Sequence, residues 1–229
     1  GALNSDAFLM PDIRIFRELI DGFEDIIKII TVAPELEGAL KIIKHARDIG
    51  INVSMGHSDA TYAEAELGYN AGAVCITHIF NAMRGMHHRE PGIAGFGLLH
   101  EKMYVEVVAD PYHLHPETIK MIFSIKKPEY IIVISDSIKD TKLVEFSGNK
   151  QKRSNGKGFN HERTDIQNSK HKTALVCGTG LLCGGCMTIT ESTQRLIDMG
   201  IDKNIVMRCI TENPSSYLKM GSMRSISTT

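Results

Sequence analysis

Two short apolar runs, each delivering a histidine, constrain this chain more than any other feature. Ile51-Asn52-Val53-Ser54-Met55 leads into Gly56-His57-Ser58-Asp59, and Ala73-Val74-Cys75-Ile76 leads into Thr77-His78. Runs of this length and composition read as buried strands. Residues 60–71 between them read as a helix closed by Gly72. A strand, a helix and a second strand in this order form a parallel pair, with both histidines at one edge of the sheet. In α/β proteins that edge is where sites are built. Two neutral imidazoles on adjacent strand ends suit a divalent metal such as Zn²⁺. Taken singly, either histidine reads as well as a strand-end cap.

The rest of the chain continues the alternation. Pro11-Asp12 opens a helix over 13–23, and residues 26–32 form a strand stopped by Ala33-Pro34-Glu35. A helix over 38–49 ends at Gly50. After the histidine strands come a loop at 86–95, a strand at 103–110, a helix at 116–125 and a β-branched strand at 130–136. Five strands alternating with helices predict a parallel sheet or a (β/α) barrel. Asp136 closes the last strand and is the third candidate for chemistry. A carboxylate there can take a proton from an activated water and pass it to a leaving amine; it can also cap the next segment.

Composition removes several function classes. A formal net charge of −1, with no massed basic face, gives nucleic acid no footprint. No apolar run approaches the ~20 residues of a membrane span. Five cysteines, an odd number, favour a reducing compartment over a disulfide framework, so the expectation is a cytoplasmic protein. Cys183-x-x-Cys186 could be a zinc knuckle or redox pair, but it has no second pair at ligand spacing. Residues 146–172 carry seven Lys/Arg, two Asp/Glu and almost no aliphatics, which predicts a flexible polar insertion. The expected organisation is 1–145 as βα units, 146–172 as the insertion and 173–229 as a C-terminal helical part.

Several blocks together resemble one family. They are Gly56-His57-Ser58 followed by Ala60-Thr61, then Thr77-His78-x-Phe80-Asn81-Ala82-Met83, then His88-Arg89-Glu90-Pro91-Gly92. In this order they are similar to the N-acetylglucosamine-6-phosphate deacetylases, which are metal-dependent amidohydrolases. Thr31-x-Ala33-Pro34-Glu35 and Asn213-Pro214 fit the same pattern. The resemblance implies a TIM-type barrel whose fourth to eighth strands are present here, truncated at both ends. It implies a divalent metal, Zn²⁺ or Fe²⁺, on His57 and His78, with Asp136 as general base and acid. It places Asn81, Ala82, Arg89 and His113 on an amino-sugar phosphate, and Leu182, Cys183 and Gly184 along the sugar pocket. It also implies a homodimer in which Arg89 serves the neighbouring subunit. Pro111 stands where the family has glycine, so the loop carrying His113 is expected to be displaced. The family's third metal ligand, a glutamate in Glu-Gly-Pro, is not in this sequence. Two other readings stay open: another amidohydrolase, or a catalytically incomplete remnant that serves as a binding module.

Overall fold

The structure, a computed structural model, describes residues 9–138, 175–176 and 182–224. Helix α1 (Ile13–Ile20) starts at Asp12, whose carboxylate accepts from the Arg14 amide at 2.7 Å. Strand β1 (Ile29–Val32), α2 (Ala39–Asp48), β2 (Asn52–Met55), α3 (Tyr62–Ala71) and β3 (Cys75–Ile76) follow. Then come α4 (Gly92–Leu99), β4 (Tyr104–Val108), α5 (Pro116–Ile125) and β5 (Ile131–Ile134). The sheet runs β1-β2-β3-β4-β5, every neighbouring pair parallel. Strands are thus adjacent in chain order, as the alternation predicts, and each is shorter than the apolar run that announces it. Residues 26–28, expected in the first strand, lie outside it, and α1 ends at Ile20 rather than 23.

Side-chain alternation divides the sheet into two unlike faces. Val53, Met55, Ile76, Val105, Val107, Ile131 and Val133 join the helices in the main core. The other face carries Asn52, Ser54, Cys75, Tyr104, Glu106 and Ile132. Helix α8 (Glu212–Arg224) lies against it, with Tyr217 packed on Cys75, Tyr104 and Ile132. Two asparagines pin the helix: Asn52 Nδ2 donates to the Tyr217 carbonyl at 2.8 Å, and Asn213 Nδ2 to the Pro128 and Ile131 carbonyls at 2.7 Å. At the β1 edge, by contrast, Leu19, Phe23 and Ile26 are exposed.

Three expectations need correction. The loop at 86–95 is instead the approach to and first turn of α4, a helix buried on nearly every side. Its Gly-Ile-Ala-Gly-Phe-Gly sequence shows no amphipathic stripe because it has no solvent face. Lys126 Nζ closes its C-terminal end by donating to the Gly97 and His100 carbonyls at 2.8 and 2.5 Å. Second, the C-terminal part is not wholly helical. Strand β6 (Leu175–Val176) pairs antiparallel with β7 (Leu182–Gly184) ahead of α6 (Ile189–Asp198), α7 (Lys203–Ile210) and α8. Third, against the expectation of cysteines kept free of disulfides, Cys183 is disulfide-bonded, while Cys186 is free and buried. The expected insertion at 146–172 lies outside the described residues. Among those residues, no helix is long and apolar enough to cross a membrane.

Helix α4 offers a clean test of packing. A β-carbon on Gly97 would stand 2.6 Å from Ile76 Cγ1, on buried β3. Gly→Ala inside a helix ordinarily adds up to about 1 kcal/mol. Here overpacking reverses the sign, and Gly97→Ala is expected to cost about 1–3 kcal/mol in urea unfolding. A stabilised variant would show that α4 does not sit tightly on β3.

Candidate active site

Strained backbone marks one edge of the sheet. Among the described residues, five non-glycine residues have positive φ: His57 (48°), His78 (29°), Phe80 (73°), Ala82 (49°) and Asp136 (48°). All five follow the C-terminal ends of β2, β3 and β5. Such backbone is uncommon outside glycine and costs on the order of 1 kcal/mol or more per residue, so it persists only where the surroundings impose it. The three residues singled out for chemistry are among the five.

His57 and His78 meet. Their Nε2 atoms are 2.9 Å apart and their rings stand at 77°. Burial lowers the pKa of both, and for His57 the proximity of His78 lowers it further. Neutral imidazoles with two ring nitrogens converging on one point fit a divalent metal. A zinc held at about 2.0–2.1 Å from each nitrogen would need only a slight opening of the pair. Among the described residues, however, no third His, Cys, Asp or Glu joins them as a ligand group.

The turn around this pair is held by carboxylates. Glu35, in the turn after β1, accepts from the Ser58 hydroxyl and the Asp59 amide, both at 2.7 Å. Thr61 and Glu64 form a capping box that starts α3 directly after the His57 loop. Glu90 accepts from the Tyr62 and Gly92 amides at 2.8 and 2.9 Å, tying the loop of Arg89 to the start of α3. The Ser58 amide donates to the Ala82 carbonyl at 3.2 Å, so the two histidine loops are joined. Asn81 is half-buried and spends its side-chain amide on the His78 and Ile79 carbonyls at 3.3 and 3.2 Å.

A second group converges from β4 and β5. His113 is 4% exposed; its Nδ1 lies 2.8 Å from Asp110 Oδ2 and its Nε2 3.6 Å from Asp136 Oδ2. The first distance is a hydrogen bond and the second an ion-pair separation. Burial alone would lower the His113 pKa, but the two carboxylates outweigh it and raise it to about 9. The imidazole is therefore a cation at neutral pH, facing Asp136. Burial works against the charge on Asp110 too, yet His113 and backbone donors hold its pKa below the ordinary value. Asp110 Oδ1 accepts from the Tyr112 and His113 amides at 2.9 and 2.8 Å, and Oδ2 from the Cys186 amide at 3.1 Å. The loop with Pro111 delivers His113 to Asp136.

Gly185 bridges to Ser137, and its amide donates to the Asp136 carbonyl at 2.7 Å. That brings Gly184 to the same edge, where a β-carbon on it would stand 2.8 Å from the Asp136 carbonyl. The structure therefore brings His57, His78, His113, Asp136 and Gly184 together, with Asn81 and Ala82 beside them. Arg89 stands apart, exposed on its loop, with its amide donating to His87. Sequence reasoning gave no role to Asp110, Glu106, Thr77 or Glu35. The available signal was two acidic residues, 106 and 110, at one parity on an otherwise apolar strand.

Comparison with known proteins follows this geometry. No protein-family model matches the chain. It is 39% identical over 152 residues to an N-acetylglucosamine-6-phosphate deacetylase of Bacillus subtilis, covering 65% of this chain and 38% of that protein. It is 35% identical over 138 residues to an N-acetylgalactosamine-6-phosphate deacetylase of Escherichia coli O157:H7, covering 60% and 36%. Two solved structures cover 96% of this chain and 56% of their own length, each at 25% identity. One is the N-acetylglucosamine-6-phosphate deacetylase of Thermotoga maritima, with a TM-score of 0.80. The other is a mutant of the Mycobacterium smegmatis enzyme in complex with N-acetyl-D-glucosamine-6-phosphate, with a TM-score of 0.82. The resemblance read from the motifs holds. The chain spans less than two fifths of these two curated relatives and just over half of the solved structures.

Proposed function

We propose that this edge is the active site of an amide hydrolase that removes the acetyl group from N-acetylglucosamine 6-phosphate, in a barrel of the TIM type. The observation that carries the reading is the convergence of His57 Nε2, His78 Nε2, His113 and Asp136 on one strained edge. His57 and His78 would hold a divalent metal, and imidazole ligands suit zinc and iron alike. When bound, the metal supplies polarisation of the acetamide carbonyl and acidification of a water. Asp136 takes the water's proton and delivers it to the departing sugar nitrogen. The His113 cation faces the Asp136 carboxylate at 3.6 Å and offers a donor to substrate oxygen. Asn81 and Ala82 orient the sugar phosphate, and 182–184 line its ring. Arg89 is exposed on its loop, and in a homodimer its planar fork would grip phosphate in the partner's site.

The galactosamine relative supports a second substrate, the C4 epimer. The experiment is acetate release by the zinc-loaded chain, with both N-acetylhexosamine 6-phosphates offered. Slow release that disappears in Asp136→Asn, together with metal content that falls in His57→Ala and His78→Ala, is the expected result. Wild-type release no faster than in those variants would overturn the proposal.

A further inference from the structure

Glu106 has no part in the chemistry above, yet it touches three successive residues of the turn that presents His78. Its Oε2 accepts from the Thr77 hydroxyl at 2.5 Å, and its carboxylate accepts from the His78 amide. Its own carbonyl accepts from the Ile79 amide at 2.8 Å. Between the first and third of these contacts the backbone passes through φ 29° at His78. A side chain, a strained amide and the next amide are thus all fastened to one residue of β4.

The same contact reaches the other histidine. The Thr77 methyl packs so closely on Gly56, next to His57, that a β-carbon there would stand 2.5 Å from it. Thr77 is therefore clamped between the strand end that carries His57 and the carboxylate of Glu106. A partly buried carboxylate on an inner sheet face is costly unless its hydrogen bonds do something for the fold or the site. Hydrophobic residues would pack that face at lower cost, as Ile132 does on β5.

We propose that Glu106 is a positioning residue: through Thr77 and the His78 amide it fixes the left-handed turn that aims His78 Nε2 at His57, and so sets the spacing of the pair. The proposal rests on the reading of His57 and His78 as metal ligands. Residues that orient a ligand without touching the metal commonly change its affinity 10–100-fold when removed. Glu106→Leu should therefore weaken zinc binding to the purified chain by about that factor. Glu106→Gln, which keeps an acceptor oxygen for Thr77 and the amide, should retain most of the affinity. Thr77→Val, which loses the hydroxyl but keeps the shape, should weaken it in the same direction.

The test combines zinc binding, followed by equilibrium dialysis, with amide hydrogen exchange at His78 and Ile79 in the metal-free chain. The expected outcome is faster exchange at His78 in Glu106→Leu and Thr77→Val, with thermal midpoints recorded alongside, and near-normal exchange in Glu106→Gln. His57→Ala should lose zinc while leaving exchange at His78 unchanged. Wild-type exchange at His78 in both Glu106→Leu and Thr77→Val overturns the positioning role, whatever the metal does. Zinc binding undiminished in His57→Ala overturns the ligand reading instead, and exchange still decides the role of Glu106. Should Glu106→Leu fail to fold, the comparison of Thr77→Val with Glu106→Gln carries the same decision.

Discussion

Asp110→Ala is expected to destabilise the chain by about 3–5 kcal/mol, the range for removing one partner of a buried charge pair. Against a typical total of about 5–15 kcal/mol, that is enough to leave the variant partly unfolded. Asp110 is 1% exposed and accepts from the Tyr112, His113 and Cys186 amides as well as from the His113 ring. Alanine would strand all four donors and leave a buried imidazolium facing only Asp136 at 3.6 Å. The pair also sets a pH dependence whose sign is fixed. His113 has a folded pKa near 9 against an ordinary 6.5, so its contribution is full below about 6.5 and is lost as pH rises through 9. Asp110 is held below its ordinary 3.8, so its contribution is full above that value and is lost as pH falls through the lowered pKa. Stability of the metal-free wild type should then fall by about 3 kcal/mol between pH 6.5 and 9. Asp110→Asn should flatten most of that slope. Urea unfolding at pH 6 and pH 9 decides it: an alanine variant within about 1 kcal/mol of wild type, or an asparagine variant with the wild-type slope, would show that Asp110 does not anchor His113.

What could be read from the sequence was whatever local pattern determines. The strands of 51–55, 73–76 and 103–110 announce themselves because apolar runs of that length have few alternatives, and each histidine falls where its strand must stop. Helix α4 could not be read this way, since Gly92, Gly95 and Gly97 lower helix propensity and full burial removes the stripe that periodicity detects. Helix α7 was legible in principle: Asp202 caps it, accepting from the Asn204 and Ile205 amides. The turn at Pro111 has a physical reason in the sequence itself. Asp at the first position of a turn and Pro at the second is a favoured order, and the Asp110 carboxylate supplies the hydrogen bonds that hold it. Roles for Glu106 and Asp110 depend on which face of β4 is packed and which turns toward the histidines. That is decided by the neighbouring strands, not by β4.

The other large effect concerns the metal. His57 and His78 are both neutral, and among the described residues nothing joins them as a third ligand. Catalytic zinc sites usually present three protein ligands and leave a fourth position for water. Loss of a residue that merely orients a ligand already costs 10–100-fold in affinity. With only these two ligands among the described residues, the pair should hold zinc at least about 100-fold more weakly than a three-ligand site. Bound zinc should then exchange readily and be stripped by a mild chelator. Turnover should suffer in step, because Asp136 can act only on a water that the metal has acidified, and the fraction of chains holding metal falls with affinity. The expected result is acetate release well below the ~1 s⁻¹ at the lower end of typical enzymes, rising with added zinc and not saturating at stoichiometric metal. Dialysis against chelator, elemental analysis and a zinc titration of the rate measure all three. A chain that keeps one zinc through dialysis and turns over at ~1 s⁻¹ or faster would show that a third ligand is supplied by a residue outside 9–138, 175–176 and 182–224, or by a partner copy.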